Sequence, residues 1–255
     1  MNEVKAKKFL GQHFLTDEGI ARRIVDSLSP SACRVLEIGP GMGVLTKYLI
    51  SRPNTDLHVV EIDRESVAWL HGHFDGLDII EGDFLRMDLN TLFHEPYAII
   101  GNFPYNISSQ ILFRVFGQRD KVHEVVGMFQ KEVAERVAAG PGSKTYGILS
   151  VLLSAFYHIE YLFTVSEQVF NPPPKVKSAV IRLTRNGTAS LPCDEALFVQ
   201  VVKAGFNQRR KTLRNALRQL GLPLEGVPDG LLASRAEQLA VDDFVCITKA
   251  IESCR

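Results

Sequence analysis

Seven short β-prone runs recur along the chain, and helix-period segments stand between most of the earlier ones. The runs are Arg34–Gly39, Leu57–Asp63, Leu77–Gly82, Tyr97–Asn102, Val122–Gln130, Tyr157–Val165 and Ser178–Thr184. The helical segments are Val44–Ser51, Arg64–Phe74, Ser108–Phe116, Lys131–Ala139 and Tyr146–Ala155. Strands that alternate with helices predict a parallel sheet covered on both faces. The first four runs are nearly continuous in apolar residues, as strands buried on both sides require. Only Asn171-Pro172-Pro173-Pro174 and a short stretch separate the last two, which predicts a hairpin-like antiparallel end to the sheet. After Asn186-Gly187 the pattern changes to helices alone, at Asp194–Phe206, Gln208–Leu220 and Val241–Glu252. The expected organisation is therefore an α/β domain over 1–187 and a small helical domain over 188–255.

The first run opens into Glu37-Ile38-Gly39-Pro40-Gly41-Met42-Gly43 and then a helix. Glycines let a chain turn tightly and bring its backbone against a ligand. A dinucleotide fingerprint needs G-x-G-x-x-G, but position 44 is valine and the spacing is G-x-G-x-G. That disfavours a pyrophosphate, and with it a nicotinamide oxidoreductase. It suits a ligand whose carboxylate and ammonium lie over the loop. The second run ends in Glu61-Ile62-Asp63, where an acid can accept from ribose hydroxyls, although Asp63 equally suits the cap of the next helix. The third ends in Gly82-Asp83, where a short acid can accept from an adenine amino group. Together these strand ends predict an adenosine site.

Gly101-Asn102-Phe103-Pro104-Tyr105-Asn106 closes the fourth run beside that site. The Asn102 side-chain oxygen and the Pro104 carbonyl can accept the two N–H groups of an exocyclic amine. Tyr105 offers a ring face for a base. Holding both N–H groups turns the nitrogen lone pair towards an electrophile, which is catalysis by orientation and hydrogen bonding. The alternative is a turn, which Asn-x-Pro also favours, with Tyr105 in the core.

Formal net charge is zero, yet charge is segregated: Glu37 to Glu95 holds eleven acids against four bases. Lys175, Lys177, Arg182 and Arg185 form one acid-free basic run. Lys203, Arg209, Arg210, Lys211, Arg214 and Arg218 form another, and Lys5, Lys7 and Lys8 add to the start. Such segregation favours a nucleic-acid partner over a merely solvated surface. No apolar run approaches the roughly 20 residues of a membrane span, and no apolar segment of a signal peptide follows the basic start. Cys33, Cys193, Cys246 and Cys254 are scattered without a CxxC pair, and His71 and His73 have the wrong helical spacing for a shared face. Reduced thiols, a cytoplasmic location and no metal are expected.

Taken together, the motifs resemble the adenine-N6 dimethyltransferases of ribosomal RNA, most closely their small-subunit branch. The resemblance rests on Phe9–Leu15, Glu37–Gly41, Val60–Asp63, Gly82-Asp83, Gly101–Ser108, Gln130–Val133, Phe170–Val176 and Ala204–Arg214. It implies a Rossmann-like class I methyltransferase sheet of seven strands with the last antiparallel, and S-adenosylmethionine as cofactor. It also implies that His13, Leu15, Gly39 and Gly41 hold the methionine end, Glu61 the ribose and Asp83 the adenine. Asn102 then lies between cofactor and target amine, and Phe170 is a second stacking wall. The implied substrate is small-subunit rRNA in immature 30S particles. It would be bound through Lys175, Lys177, Arg209, Arg210, Lys211 and Arg214 by a protein that needs no obligate partner and acts as a monomer. A large-subunit resistance methyltransferase and a non-enzymatic RNA-binding factor are the alternatives. The Phe206–Lys211 stretch disfavours the first and the intact Asn102–Tyr105 motif the second. Two departures stand out: His13 where relatives often have asparagine, and Phe103 where they often have leucine.

Overall fold

The computed structural model describes residues 4–254. Its elements in chain order are β1 (Phe14–Leu15), α1 (Glu18–Asp26), β2 (Arg34–Ile38), α2 (Thr46–Ile50), β3 (Asp56–Glu61), α3 (Arg64–His73) and β4 (Asp78–Glu81). They continue with β5 (Tyr97–Asn102), α4 (Ser108–Gly117), β6 (Val122–Gln130), α5 (Lys131–Ala138), α6 (Ile148–Ser154), β7 (Tyr157–Val165), β8 (Phe170–Asn171) and β9 (Ser178–Arg185). The remainder is helical: α7 (Glu195–Asn207), α8 (Leu213–Arg218), α9 (Asp229–Ala233) and α10 (Val241–Glu252).

All seven expected strands form one sheet, ordered β4-β3-β2-β5-β6-β9-β7. The pairs β2–β3, β3–β4, β2–β5 and β5–β6 are parallel, and β6–β9 is antiparallel. Strand order reverses between β2 and β5, which opens a crevice at the carboxyl ends of these strands. Residues two apart along a strand share a face. Accordingly Ala98 and Ile100, Val126 and Met128, with Val35 and Val180, enter one buried cluster with Ile24, Val25 and Leu28 of the α1 region and Leu45 and Leu49 near α2.

Capping explains where several helices begin. Asp17 accepts from the Ile20 amide at 2.8 Å, Asp63 from that of Glu65 at 3.2 Å, and Asp194 from that of Ala196 at 2.8 Å. Each satisfies an amide that the first helical turn leaves without a partner.

The chain divides into two compact units, Met1–Ala134 with Glu160–Thr184, and Glu135–Ile159 with Arg185–Arg255. The second unit's later segment begins at Arg185, and the unit also takes in 135–159, which the sequence pattern assigned to the sheet domain. The reason is packing, because α6 lies against α7 and α10. Tyr146, Phe206 and Phe244 form a run of ring contacts at 5.8 and 6.1 Å in the same unit. The helix expected over 208–220 is shorter than the pattern suggested. Its first residues form a turn, with the Lys211 amide donating to the Gln208 carbonyl at 2.8 Å, and α8 starts at Leu213, which is fully buried.

Candidate active site

The carboxyl ends of β2, β3 and β5 and the loop after β4 surround a cavity of about 510 Å³ within the first unit. This is in the range of small-molecule sites, about 300–1,000 Å³. Gly39, Gly41, Glu61, Asp83, Asn102, Pro104, Tyr105, His13 and Leu15 all line it. The glycine loop takes left-handed backbone at Gly39, Gly41 and Gly43. At Gly41 (φ +57°) a side chain would meet the Phe14 ring at 2.8 Å, so only glycine leaves both the turn and the ring in place.

Glu61 is buried at the end of β3. One of its oxygens accepts the Gly41 amide at 3.0 Å, and the other accepts those of Ile62 and Asp63 at 2.9 Å each. Burial raises its pKa, and the three backbone hydrogen bonds partly offset the rise. A carboxylate offers about four lone-pair sites, so one remains for a ribose hydroxyl. Glu37 is fully buried behind the loop and accepts from the Thr46 hydroxyl at 2.7 Å. Burial, with Glu61 nearby, lifts it to about 8 against the opposing Thr46 hydrogen bond.

Asp63 both caps α3 and holds the N-terminal segment, accepting from Gln12 Nε2 at 3.2 Å and from Lys7 Nζ. Burial opposes its ionisation, but the Lys7 and Gln12 hydrogen bonds prevail and its pKa is lowered. Asp83 accepts the Leu85 amide through one oxygen at 2.9 Å and lies 3.5 Å from Arg86 Nε through the other.

The Asn102 amide nitrogen donates to the His13 carbonyl at 2.9 Å. That bond orients the amide and leaves Oδ1 as the end available to accept. The Pro104 carbonyl already accepts from the Ile107 amide at 3.2 Å and the Ser108 hydroxyl at 3.0 Å, so any amine there shares it. Tyr105 is held by its hydroxyl, 2.5 Å from Ser178 Oγ, and stacks on the His13 ring at 5.4 Å between centroids. His13 Nδ1 lies 2.8 Å from the Pro172 carbonyl. A carbonyl only accepts, so Nδ1 carries the proton. Antiparallel pairing of β1 with β8 places His13 beside that loop.

Phe170 is not brought to the cavity. It is 4% exposed, sits in the core cluster with Leu15, Phe163 and Val165, and pairs with Leu15 across β1 and β8. An aromatic ring between two strands with apolar neighbours is drawn into the core rather than left as an open stacking wall. Sequence reasoning gave Ser178 and Gln12 no role of their own, and counted Lys7 only among the basic residues of the start. Their partners lie 73, 51 and 56 residues away, so no local pattern marked them.

Among the basic residues, Lys175 and Lys177 are exposed in the first unit, and Arg210 and Lys211 in the second. Arg209 is exposed as well but also donates to the carbonyls of Lys144 and Tyr146 at 2.8 and 2.7 Å, and Arg214 pairs with Asp229 at 2.5 Å. Both therefore tie segments of the second unit together. His73 stacks on Trp69 at 3.8 Å, and its Nδ1 lies 2.7 Å from the Trp69 carbonyl at the end of α3. No helix among the described residues is long and apolar enough to cross a membrane.

A family model described as ribosomal RNA adenine dimethylase matches residues 3–249. The ribosomal RNA small subunit methyltransferase A of Cytophaga hutchinsonii is 58% identical over 255 residues, covering 98% of this chain and 99% of that protein. The protein of the same name from Bacteroides thetaiotaomicron is 56% identical over 257 residues, covering 99% and 96%. Among solved structures, a dimethyladenosine transferase from Plasmodium falciparum matches with a TM-score of 0.78 at 25% identity, covering 94% of this chain and 98% of that one. The 23S rRNA methyltransferase ErmE shares the fold at a TM-score of 0.69 and 24% identity, covering 94% and 99%.

Proposed function

Because this chain belongs to the ribosomal RNA adenine dimethylase family, we propose that it places two methyl groups on N6 of each of two neighbouring adenosines in the 3′-terminal hairpin loop of small-subunit rRNA. It is an S-adenosylmethionine-dependent methyltransferase. The residues present fit that cofactor. The glycine loop lines the cavity, Glu61 keeps one lone-pair site for the ribose, and Asp83 offers an acceptor at the adenine end. When bound, S-adenosylmethionine supplies an electrophilic methyl group on a sulfonium sulfur.

The observation that carries the reading is the Asn102 amide, pinned by the His13 carbonyl at the point where cofactor cavity and catalytic loop meet. Its Oδ1 accepts one N–H of the target amine and turns the nitrogen lone pair towards the cavity. Pro104 accepts the second N–H in shared fashion, and Tyr105, fixed by Ser178, stacks the base. A target adenosine must leave its stack to reach this loop, at a cost of a few kcal/mol, less for a loop base. The substrate in this reading is rRNA within the immature small subunit. The protein acts on it as a monomer in the cytoplasm. The exposed pairs Lys175 and Lys177, and Arg210 and Lys211, supply phosphate contacts.

The test is methyl transfer from labelled S-adenosylmethionine to unmethylated small subunits and, separately, to large subunits, followed by mass spectrometry of the digested RNA. Dimethyladenosine in the small-subunit 3′ hairpin is expected. Label in large-subunit RNA alone, or in neither, would overturn the proposal.

A further inference from the structure

Phe9 is 77% exposed, the most exposed large apolar side chain among the described residues. It stands on a single helical turn, Lys8–Leu10, with Lys5 and Lys8 also exposed. That turn is anchored on both sides. Lys7 Nζ pairs with Asp63 and, at 3.1 Å, with Glu65, while the Lys7 amide donates to Gln12 Oε1 at 2.8 Å. Gly11 closes the turn at φ +66°, so tightly against Asn106 that a Cβ there would meet Oδ1 at 2.6 Å. Leu10 and Gly11 line the cavity together with Asn106 and Ile107. The turn therefore adjoins the catalytic loop at the cavity rim.

An anchored phenylalanine with most of its ring in water contributes little to the fold, because burial is what makes such a ring stabilising. An aromatic face flanked by lysines is complementary to a nucleotide: the ring stacks on any base, and the ammonium groups meet phosphates. We infer that Phe9, with Lys5 and Lys8, is a stacking platform for an unpaired nucleotide next to the target adenosine. The inference rests on the reading of RNA as substrate. Extrusion of the target base leaves its neighbour with an uncovered face, and Phe9 takes the place of the departed stacking partner.

The test compares Phe9→Ala, Phe9→Leu and Phe9→Trp in the full chain. It measures kcat and KM on unmethylated small subunits and, by calorimetry, the S-adenosylmethionine Kd. Alanine and leucine are expected to lower kcat/KM for the particle roughly tenfold, tryptophan to retain it, and the cofactor Kd to stay unchanged in all three. An equal loss of cofactor affinity would make Phe9 part of a cofactor cover and overturn the inference. So would full activity with leucine, which packs but does not stack, or indifference to alanine. A wild-type chain that methylates neither subunit would sink the substrate reading itself, whereas a competent wild type with an indifferent Phe9→Ala variant would sink this inference alone.

Discussion

Asn102 spends its amide nitrogen on the His13 carbonyl, so replacing it separates binding from turnover. Asn102→Ala is expected to lower kcat by about 10²–10³, as for loss of one donor or acceptor aimed at a transition state, with the S-adenosylmethionine Kd nearly unchanged. Stopped-time methylation and calorimetry on the same preparation check this. Tyr105→Phe and Ser178→Ala each break one hydrogen bond, so the double variant should be no worse than either single one. A double-mutant cycle on kcat/KM measures the coupling, expected at about 1 kcal/mol. Glu37 gives a pH prediction. With burial holding its folded-state pKa at about 8 against an ordinary 4.5, the folded chain keeps a proton that the unfolded chain loses in between. Stability therefore falls as pH rises through that window. Urea midpoints across it should decline less in Glu37→Gln, which still accepts from Thr46. Glu61 and Asn102, which close strands, and Asp83, just beyond one, could be picked out as cavity-lining positions because strand ends converge in this fold. Ser178, Gln12 and Lys7 were not legible, since their partners are distant in sequence and only the folded chain brings them together.

The glycine loop shows how an element depends on its neighbour. Gly41→Ala is expected to destabilise the fold by about 1–2 kcal/mol for left-handed backbone alone. It should also weaken cofactor binding, because the Phe14 ring must shift. Denaturant unfolding and titration with S-adenosylmethionine together test it. Period and apolar content sufficed to find all seven strands of the main sheet, the buried β2, β5 and β6 as apolar runs and the rest as short β-prone runs. They did not reveal β1 and β8, two residues each, which no period can mark. They also missed α1, although Asp17 before Ile20, Ala21, Ile24 and Val25 carries both a cap and a helical spacing. The start of α8 was set too early, because the basic run reads as helix until Leu213 is drawn into the core. Phe170, expected as a stacking wall, lies in the core cluster, because sequence shows that an aromatic is present, not which side of a two-stranded pairing it faces.

Across the whole molecule, neutrality conceals basic segments whose members divide by task. Arg209 and Arg214 make contacts within their own unit, while Arg210 and Lys211 are exposed. Charge reversal at Arg210 and Lys211 should weaken binding to small subunits and flatten its dependence on salt by about 0.7 in log–log slope for each phosphate that is no longer neutralised. Filter binding across a salt series checks both. Sequence composition exposed this segregation but could not assign the members, since an arginine that ties carbonyls and one that does not are spelled alike. The sheet has its own order of events. β9 lies between β6 and β7, so the neighbour that completes β6 is the last strand of the sheet to leave the translating ribosome. From the emergence of Gln130 until Arg185 follows, a nascent chain carries β6 with an unfilled edge, the kind of edge that recruits strands from other chains. During its own synthesis the chain is thus most open to mispairing while residues 131–185 are still to follow.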